Sequence, residues 1–357
     1  SKSSRPGELQ YYRRVAANTK LEKLEVGLLK HPALGRWMDH PRMQAAAARL
    51  RAAARRLPAS HSERDPSSGG WVPLGTCASV FEELTEVMRA DAANVHLVNA
   101  RVDSMSLRRG SWGLTFGGGG ADAFCGREFD AVVLATGAVA RRLELPLNGA
   151  VEIPFRDALD PDRLSHWLPD GDPARASVGV VGTSHSAAVV LEHLERIRVG
   201  RVLLFERRSV RHAQWMPEAD DYRWTMSGLK GPGSWLMQRL ENGSLGSWVE
   251  RVPMGNFAAR VRECSAVVQT VGFAPQVLPG LRIDGREVAW SVGELEREPR
   301  TSRLRFKDRD EHLNRLYGIG IAFPLEAGHC ATSPSEALVG FSYFNVCALR
   351  AVEDLRP

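Results

Sequence analysis

The chain has 357 residues, of which 43% are hydrophobic and 25% charged, with a formal net charge of +5. That length exceeds what one compact domain usually holds, so two domains are expected, and the balance excludes a fibrous or disordered class. The positive charge is arginine spread along the chain, as in Arg13-Arg14, Arg55-Arg56, Arg108-Arg109, Arg141-Arg142 and Arg207-Arg208, which suits anionic small molecules and speaks against nucleic acid as a partner.

In chain order, the alanine- and arginine-rich stretch from Met43 to Leu57 predicts a helix that Pro58 ends, and Ser60 to Gly70 reads as a loop. Ser79 to Asp91 predicts an amphipathic helix, with Ser79 as its cap and Glu82 three residues on. Val95 to Val98, Ala100 to Leu107 and Trp112 to Phe116 alternate as strands do, with a turn at Gly117 to Gly120. Phe129 to Leu134 is an apolar strand ending in Ala-Thr-Gly. After a crossover rich in Pro and Asp come a strand (Ser177 to Val181), a helix (Ser186 to Arg196) and a strand (Arg201 to Phe205), one βαβ unit. Residues 207 to 250 are irregular and rich in tryptophan. Further strands are expected at Ala266 to Thr270 and Leu316 to Pro324, and a closing helix at Ser335 to Glu353.

The cysteines at 77, 125, 264, 330 and 347 form no close pair, which argues against a disulfide scaffold, a zinc site and a dithiol redox centre, so no metal is expected. A reducing, cytoplasmic setting fits, and with no apolar run of spanning length no membrane partner is expected.

The chemistry concentrates at Val178-Gly-Val-Val-Gly-Thr-Ser-His-Ser-Ala-Ala188. In a dinucleotide site the first glycine permits a tight turn, the second lets backbone approach the pyrophosphate, and the third lets helix and strand pack. Gly182 keeps the first role. Ser184 stands at the second place with a hydroxyl able to donate to a phosphate, and Ala187 is an accepted third. Thr183, His185 and Ser186 complete the turn, and the helix start offers free N–H groups to an anion. An ordinary strand–turn–helix without ligand is the alternative. The next strand ends at Glu206, 24 positions beyond Gly182, near the spacing of a ribose-binding carboxylate. Arg207 and Arg208 follow at once, and two guanidiniums there suit a 2′-phosphate, hence NADP rather than NAD; a solvated charge cluster is the alternative.

Two strand-end turns, Asp130-Ala-Val-Val-Leu-Ala-Thr-Gly137 and Val267-Val-Gln-Thr-Val-Gly-Phe-Ala-Pro275, bracket this unit. With them the sequence resembles the flavoprotein oxidoreductases that carry two dinucleotide-binding domains, a group that includes the flavin-containing monooxygenases and the pyridine nucleotide-disulfide reductases. The resemblance covers most of the chain. It implies an α/β fold of two Rossmann-like domains, with the NADP domain (149–304) inserted in a discontinuous FAD domain (1–148 and 305–357). It places Ala135, Thr136, Gly137 and Gly272 in turns that close the two cofactor domains. Ala17-Asn18-Thr19-Lys20 resembles a segment near the flavin, which brings in Asn18 and Lys20, and Val102 stands where such proteins set a valine near the FAD adenine.

Departures bear on function. No G-x-G-x-x-G fingerprint for FAD precedes residue 20, and the reading favoured is that an N-terminal βαβ unit lies outside these residues. The family's C-x-x-x-x-C pair is absent. The implied activity is therefore an NADPH-dependent flavoprotein oxidoreductase of monooxygenase type, with FAD and NADP as cofactors and a small-molecule substrate. The alternative is a non-catalytic NADP-binding sensor or interaction module that has lost FAD. No catalytic side chain stands out. His185 as a base, Lys230 near a phosphate, and Trp215, Trp224, Trp235 and Trp248 as pocket walls are weighed against plain structural roles. His329 beside Cys330 reads as structural.

Overall fold

The computed structural model describes residues 19–30, 34–54, 70–91, 98–118, 124–168, 172–208, 239–298, 300–309, 313–323 and 341–355, with short pieces and single residues between them. In chain order, the elements that position the site are helices α1 (Pro41–Ala54) and α2 (Leu74–Asp91), strands β1 (Arg101–Arg108), β2 (Ser111–Gly117), β3 (Glu128–Phe129), β4 (Val132–Leu134), β5 (Val151–Ile153) and β6 (Ser177–Val181), helix α3 (His185–Arg196), strands β7 (Arg201–Glu206), β8 (Val249–Pro253), β9 (Ala266–Gln269), β10 (Gly280–Ile283), β11 (Arg286–Val288) and β12 (Leu316–Gly318), and helix α4 (Phe341–Leu355).

The chain divides into two compact units. The first comprises residues 1–93 and 140–272, the second 94–139 and 273–357. The crossings at 139/140 and 272/273 differ from the 148/149 and 304/305 boundaries drawn from the sequence. Residues 273–304 belong to the second unit because β10 pairs with β1, a strand on the far side of the inserted segment.

The first unit is built on a five-stranded sheet in the order β8-β7-β6-β9-β5. Every pairing in it is parallel. Its three inner strands, β7, β6 and β9, read as valine and leucine runs because both their faces are covered. Val178, Val180, Val202, Leu204 and Val268 enter one core with Val190, Leu191 and Leu194 of α3. Leu203, Phe205, Val252 and Val267 enter a second core on the opposite face, with Phe257 and Val261. Each such side chain, fully buried, contributes about 1.5–3 kcal/mol of transfer free energy. His193 is buried in the last turn of α3 with Nδ1 3.2 Å from the Ala158 carbonyl, and burial lowers its pKa. Helices α1 and α2 belong to the same unit and are joined by an Arg42–Glu83 ion pair of 2.7 Å.

In the second unit the sheet order is β11-β10-β1-β2-β3, and β4 pairs separately with β12 in parallel register. Trp112, fully buried, donates from Nε1 to the Asn314 carbonyl at 2.6 Å. Helix α4 is tied down by Asp354, which accepts from Tyr317 Oη at 2.6 Å and from both Nε and a terminal nitrogen of Arg303. The Arg303 guanidinium holds the Asp354 carboxyl below its ordinary range, and burial pushes the Tyr317 phenol up.

Several sequence expectations change here. The second helix starts at Leu74, five residues before the expected Ser79 cap. Ser79 lies mid-helix with its hydroxyl bonded back to the Gly75 carbonyl at 3.0 Å, one of the two alternatives open to a serine. The single strand expected from Phe129 to Leu134 is two, because Asp130 and Ala131 carry the chain from β3, paired to β2, into β4, paired to β12. Leu316 to Pro324 shortens to β12, since Gly320 turns the chain at φ +93° and its carbonyl accepts from Phe323 N. The closing helix begins at Phe341, and Ala337–Leu338 is a strand paired with Leu325–Glu326. His96 and Val98 lie in no strand.

Candidate functional site

In the first unit, β7 and β8 lie to one side of β6 and β9 lies to the other. Chain order reverses between β6 and β9, and in open parallel sheets ligands bind in the crevice outside the strand C-termini at such a switch point. The Gly182–Ser186 turn occupies this position. Gly182 has φ +108°, and a Cβ there would lie 2.8 Å from the Thr270 carbonyl oxygen, so only glycine fits. The turn is fastened from both sides. Gly182 N–H donates to the Phe205 carbonyl at 2.9 Å, and Thr270 at the end of β9 donates from both N and Oγ1 to the Val181 carbonyl, at 2.8 and 2.7 Å.

Ser184 is the residue before α3, and its side chain does not cap the helix. Its hydroxyl donates instead to the Thr270 carbonyl at 3.3 Å. The first turn of α3 carries no acidic side chain, so its N–H groups face outward with no carboxylate competing for them. Thr183 and Ser186 are half-buried in the turn. His185 opens the helix, its ring packed so that a Cβ on Gly233 would stand 3.2 Å from Cδ2.

Arg207 and Arg208 follow β7 directly, are both exposed, and have no ion-pair partner among the described residues. Glu206 is different. Arg251 of β8 donates to it from Nε at 3.1 Å and from a terminal nitrogen at 2.8 Å, closing a two-pronged pair. That pair raises the Arg251 pKa. Sequence spacing marked Glu206 but missed Arg251, because the pairing depends on the β7–β8 register, in which Leu204 stands opposite Arg251.

Gly272 lies at the end of the first unit, two residues beyond Thr270, with φ +89° and its carbonyl accepting from Arg141 N at 2.8 Å. The residues of the first unit thus converge on one edge of one sheet. In the second unit, Ala135, Thr136 and Gly137 follow β4, with Gly137 at φ +72°. Thr136 Oγ1 is buried without a hydrogen-bond partner among the described residues, a group that a bound polar ligand would satisfy. Val102 lies in β1 opposite Phe116 and packs on that unit's core. Asn18 lies outside the described residues. Lys20 is described only in its backbone, which pairs with Trp71.

Lys230, Trp235, His329 and Cys330 also lie outside the described residues, as do the side chains of Trp215 and Trp224. Trp248 has a packing role: its Nε1 donates to the Val199 carbonyl at 2.6 Å, at the sheet edge away from the turn. No group of three or more metal-ligating side chains is present among the described residues. No helix among them is long and apolar enough to cross a membrane.

No family model matches the chain. A monooxygenase of Paecilomyces divaricatus, AgnR1, is 30% identical over 217 residues, covering 54% of this chain and 52% of the relative. The chain therefore spans about half the length of the curated relative it matches. Among solved structures, the ornithine N-hydroxylase of Kutzneria sp. 744, in complex with reduced FAD, NADP+ and L-ornithine, superposes with a TM-score of 0.53 over 99% of this chain and 90% of its own, at 11% identity. A flavin-containing monooxygenase from Stenotrophomonas maltophilia is more distant, with a TM-score of 0.41, 16% identity and 83% of each chain covered. On the parallel switch-point sheet and this superposition, the chain has a Rossmann-type α/β fold.

Proposed function

We propose that the chain is an NADPH-dependent flavoprotein oxidoreductase of monooxygenase type acting on a small organic molecule. The observation that carries the reading is the glycine turn at the β6–β9 switch point, with an uncapped helix start beside it and, after the next strand, two arginines with no ion-pair partner among the described residues. These residues fit a dinucleotide: the φ of Gly182 and its closeness to Thr270 leave the turn bare of side chain where a pyrophosphate would approach. The α3 N–H groups would hold the phosphates, joined by the Ser184 hydroxyl once it leaves the Thr270 carbonyl, and Arg207 and Arg208 would hold the 2′-phosphate. In the second unit the Thr136 hydroxyl, without a partner among the described residues, supports a polar ligand at the Ala-Thr-Gly turn, which would be the FAD.

When bound, the two cofactors supply hydride transfer and the onward reduction of oxygen or an organic acceptor. The protein's part is to bind, orient and exclude water, which explains why no triad or carboxylate pair stands out. The relative named a monooxygenase and the superposed N-hydroxylase both support oxygen as the acceptor.

The test is the absorption spectrum of the protein, expressed with its native N-terminus, before and after anaerobic NADPH. A flavin spectrum that bleaches is expected. A colourless protein that takes up no added FAD yet binds NADP+ would overturn the enzyme reading in favour of a nucleotide-binding module.

A further inference from the structure

Glu206 raises a difficulty for NADP. A carboxylate at the end of this strand is the group that binds a ribose 2′-hydroxyl in NAD sites, and it repels a 2′-phosphate. The structure answers it with a residue 45 positions further on. In the β7–β8 register Leu204 stands opposite Arg251. Side chains two apart on a strand share a face, so Glu206 and Arg251 extend from the same side of the sheet. Both carboxylate oxygens of Glu206 are engaged, at 3.1 and 3.2 Å by Arg251 Nε and at 2.8 Å by a terminal nitrogen. Two-pronged guanidinium–carboxylate pairs hold geometry as well as charge, which a lysine would not do. The carboxylate is largely shielded, at 19% side-chain exposure, while Arg251 stays half-exposed at 36%.

We infer that Arg251 is a specificity-determining residue, which selects NADP over NAD by clamping and neutralising Glu206. With that carboxylate occupied, the strand end loses its ribose acceptor and its repulsion, and Arg207 and Arg208, exposed and without an ion-pair partner among the described residues, set the sign of the pocket. Arg251 acts through Glu206 and is a positioning residue. The inference rests on the turn at Gly182 being the nucleotide site.

The experiment is calorimetric titration of the full chain with NADP+, NAD+ and adenosine 2′,5′-bisphosphate, in the wild type, Arg251→Leu, Glu206→Gln and the double variant. In Arg251→Leu the freed carboxylate should lower NADP+ and bisphosphate affinity about tenfold while NAD+ affinity holds or rises. Adding Glu206→Gln to Arg251→Leu should restore most of the loss, the coupling that marks an effect passed through a partner. A double variant as weak as Arg251→Leu alone would show Arg251 touching the phosphate itself and overturn the inference. Should Arg251→Leu fail to fold, Glu206→Gln decides alone. NAD+ affinity should then stay within about twofold, and a tenfold loss would show Glu206 free to bind ribose and overturn the clamp. A wild type that binds none of the three probes would overturn the nucleotide reading of the turn itself, whereas tight NADP+ binding with a selectivity indifferent to Arg251 would overturn only the clamp.

Discussion

The two edges of the parallel sheet use the same residue types to opposite ends. At the N-terminal edge, Arg201 opens β7 and pairs with Glu250 of β8 and, at 3.1 Å, with Glu263 just ahead of β9. Arg260 closes the ring onto Glu250 at 2.7 Å and onto Glu263. The Arg201 and Arg260 guanidiniums hold both carboxyls below their ordinary range. Ser265 bonds the Ser177 carbonyl through both N and Oγ, so the edge is closed by backbone as well. At the C-terminal edge Arg207 and Arg208 have no such partner among the described residues, the Ser184 side chain does not cap the helix start, and Gly182 leaves backbone bare. Charge satisfied within the protein marks structure. Charge left unsatisfied at a switch point is what the proposed nucleotide would answer.

The sharpest way to break this comparison is at Gly182. Gly182→Val forces a β-branched residue to φ +108° and drives its Cβ onto Thr270, at a cost of about 1–3 kcal/mol in backbone strain. NADP+ binding should fall at least about a hundredfold, with a lower melting temperature, both readable by titration and calorimetry. Retained affinity would place the nucleotide elsewhere. Next in size, Arg207→Ala with Arg208→Ala should weaken NADPH by about 1.5–3 kcal/mol and NADH hardly at all. Equal loss for both nucleotides would sink the 2′-phosphate assignment.

A smaller effect belongs to the closed side, where His193 sits in the last turn of α3. Its folded pKa is lowered by burial, so the unfolded chain takes up a proton at a pH where the folded chain does not. Stability should therefore fall as pH drops through about 6.5, and His193→Gln should flatten that slope in melting curves between pH 7 and 5. The smallest effect is expected at the exposed ring. Glu250→Gln should change stability by about 0–1 kcal/mol and leave NADP+ affinity unaltered.

The βαβ unit was legible because a buried valine run, a glycine and an apolar helical period are local signals. Ser177–Val181, the α3 stripe and β7 fall within a residue of their expected bounds. Ser79 misled because a serine at a cap and a serine bonded back within a helix look alike in sequence. The break between β3 and β4 was hidden because the residues that change sheets are followed by the same apolar pattern. Arg251 was invisible for a different reason: its partner is set by strand register, which links residues 45 apart. The uncapped state of Ser184 likewise depends on Thr270, 86 positions away.

The most direct test sets the two edges against each other in one titration. Arg207→Ala and Arg201→Ala remove the same side chain from opposite ends of β7. NADP+ binding measured calorimetrically should weaken about tenfold or more in Arg207→Ala and stay within about twofold of wild type in Arg201→Ala. Equal losses, or a larger one for Arg201→Ala, would contradict the assignment of the C-terminal edge as the nucleotide site.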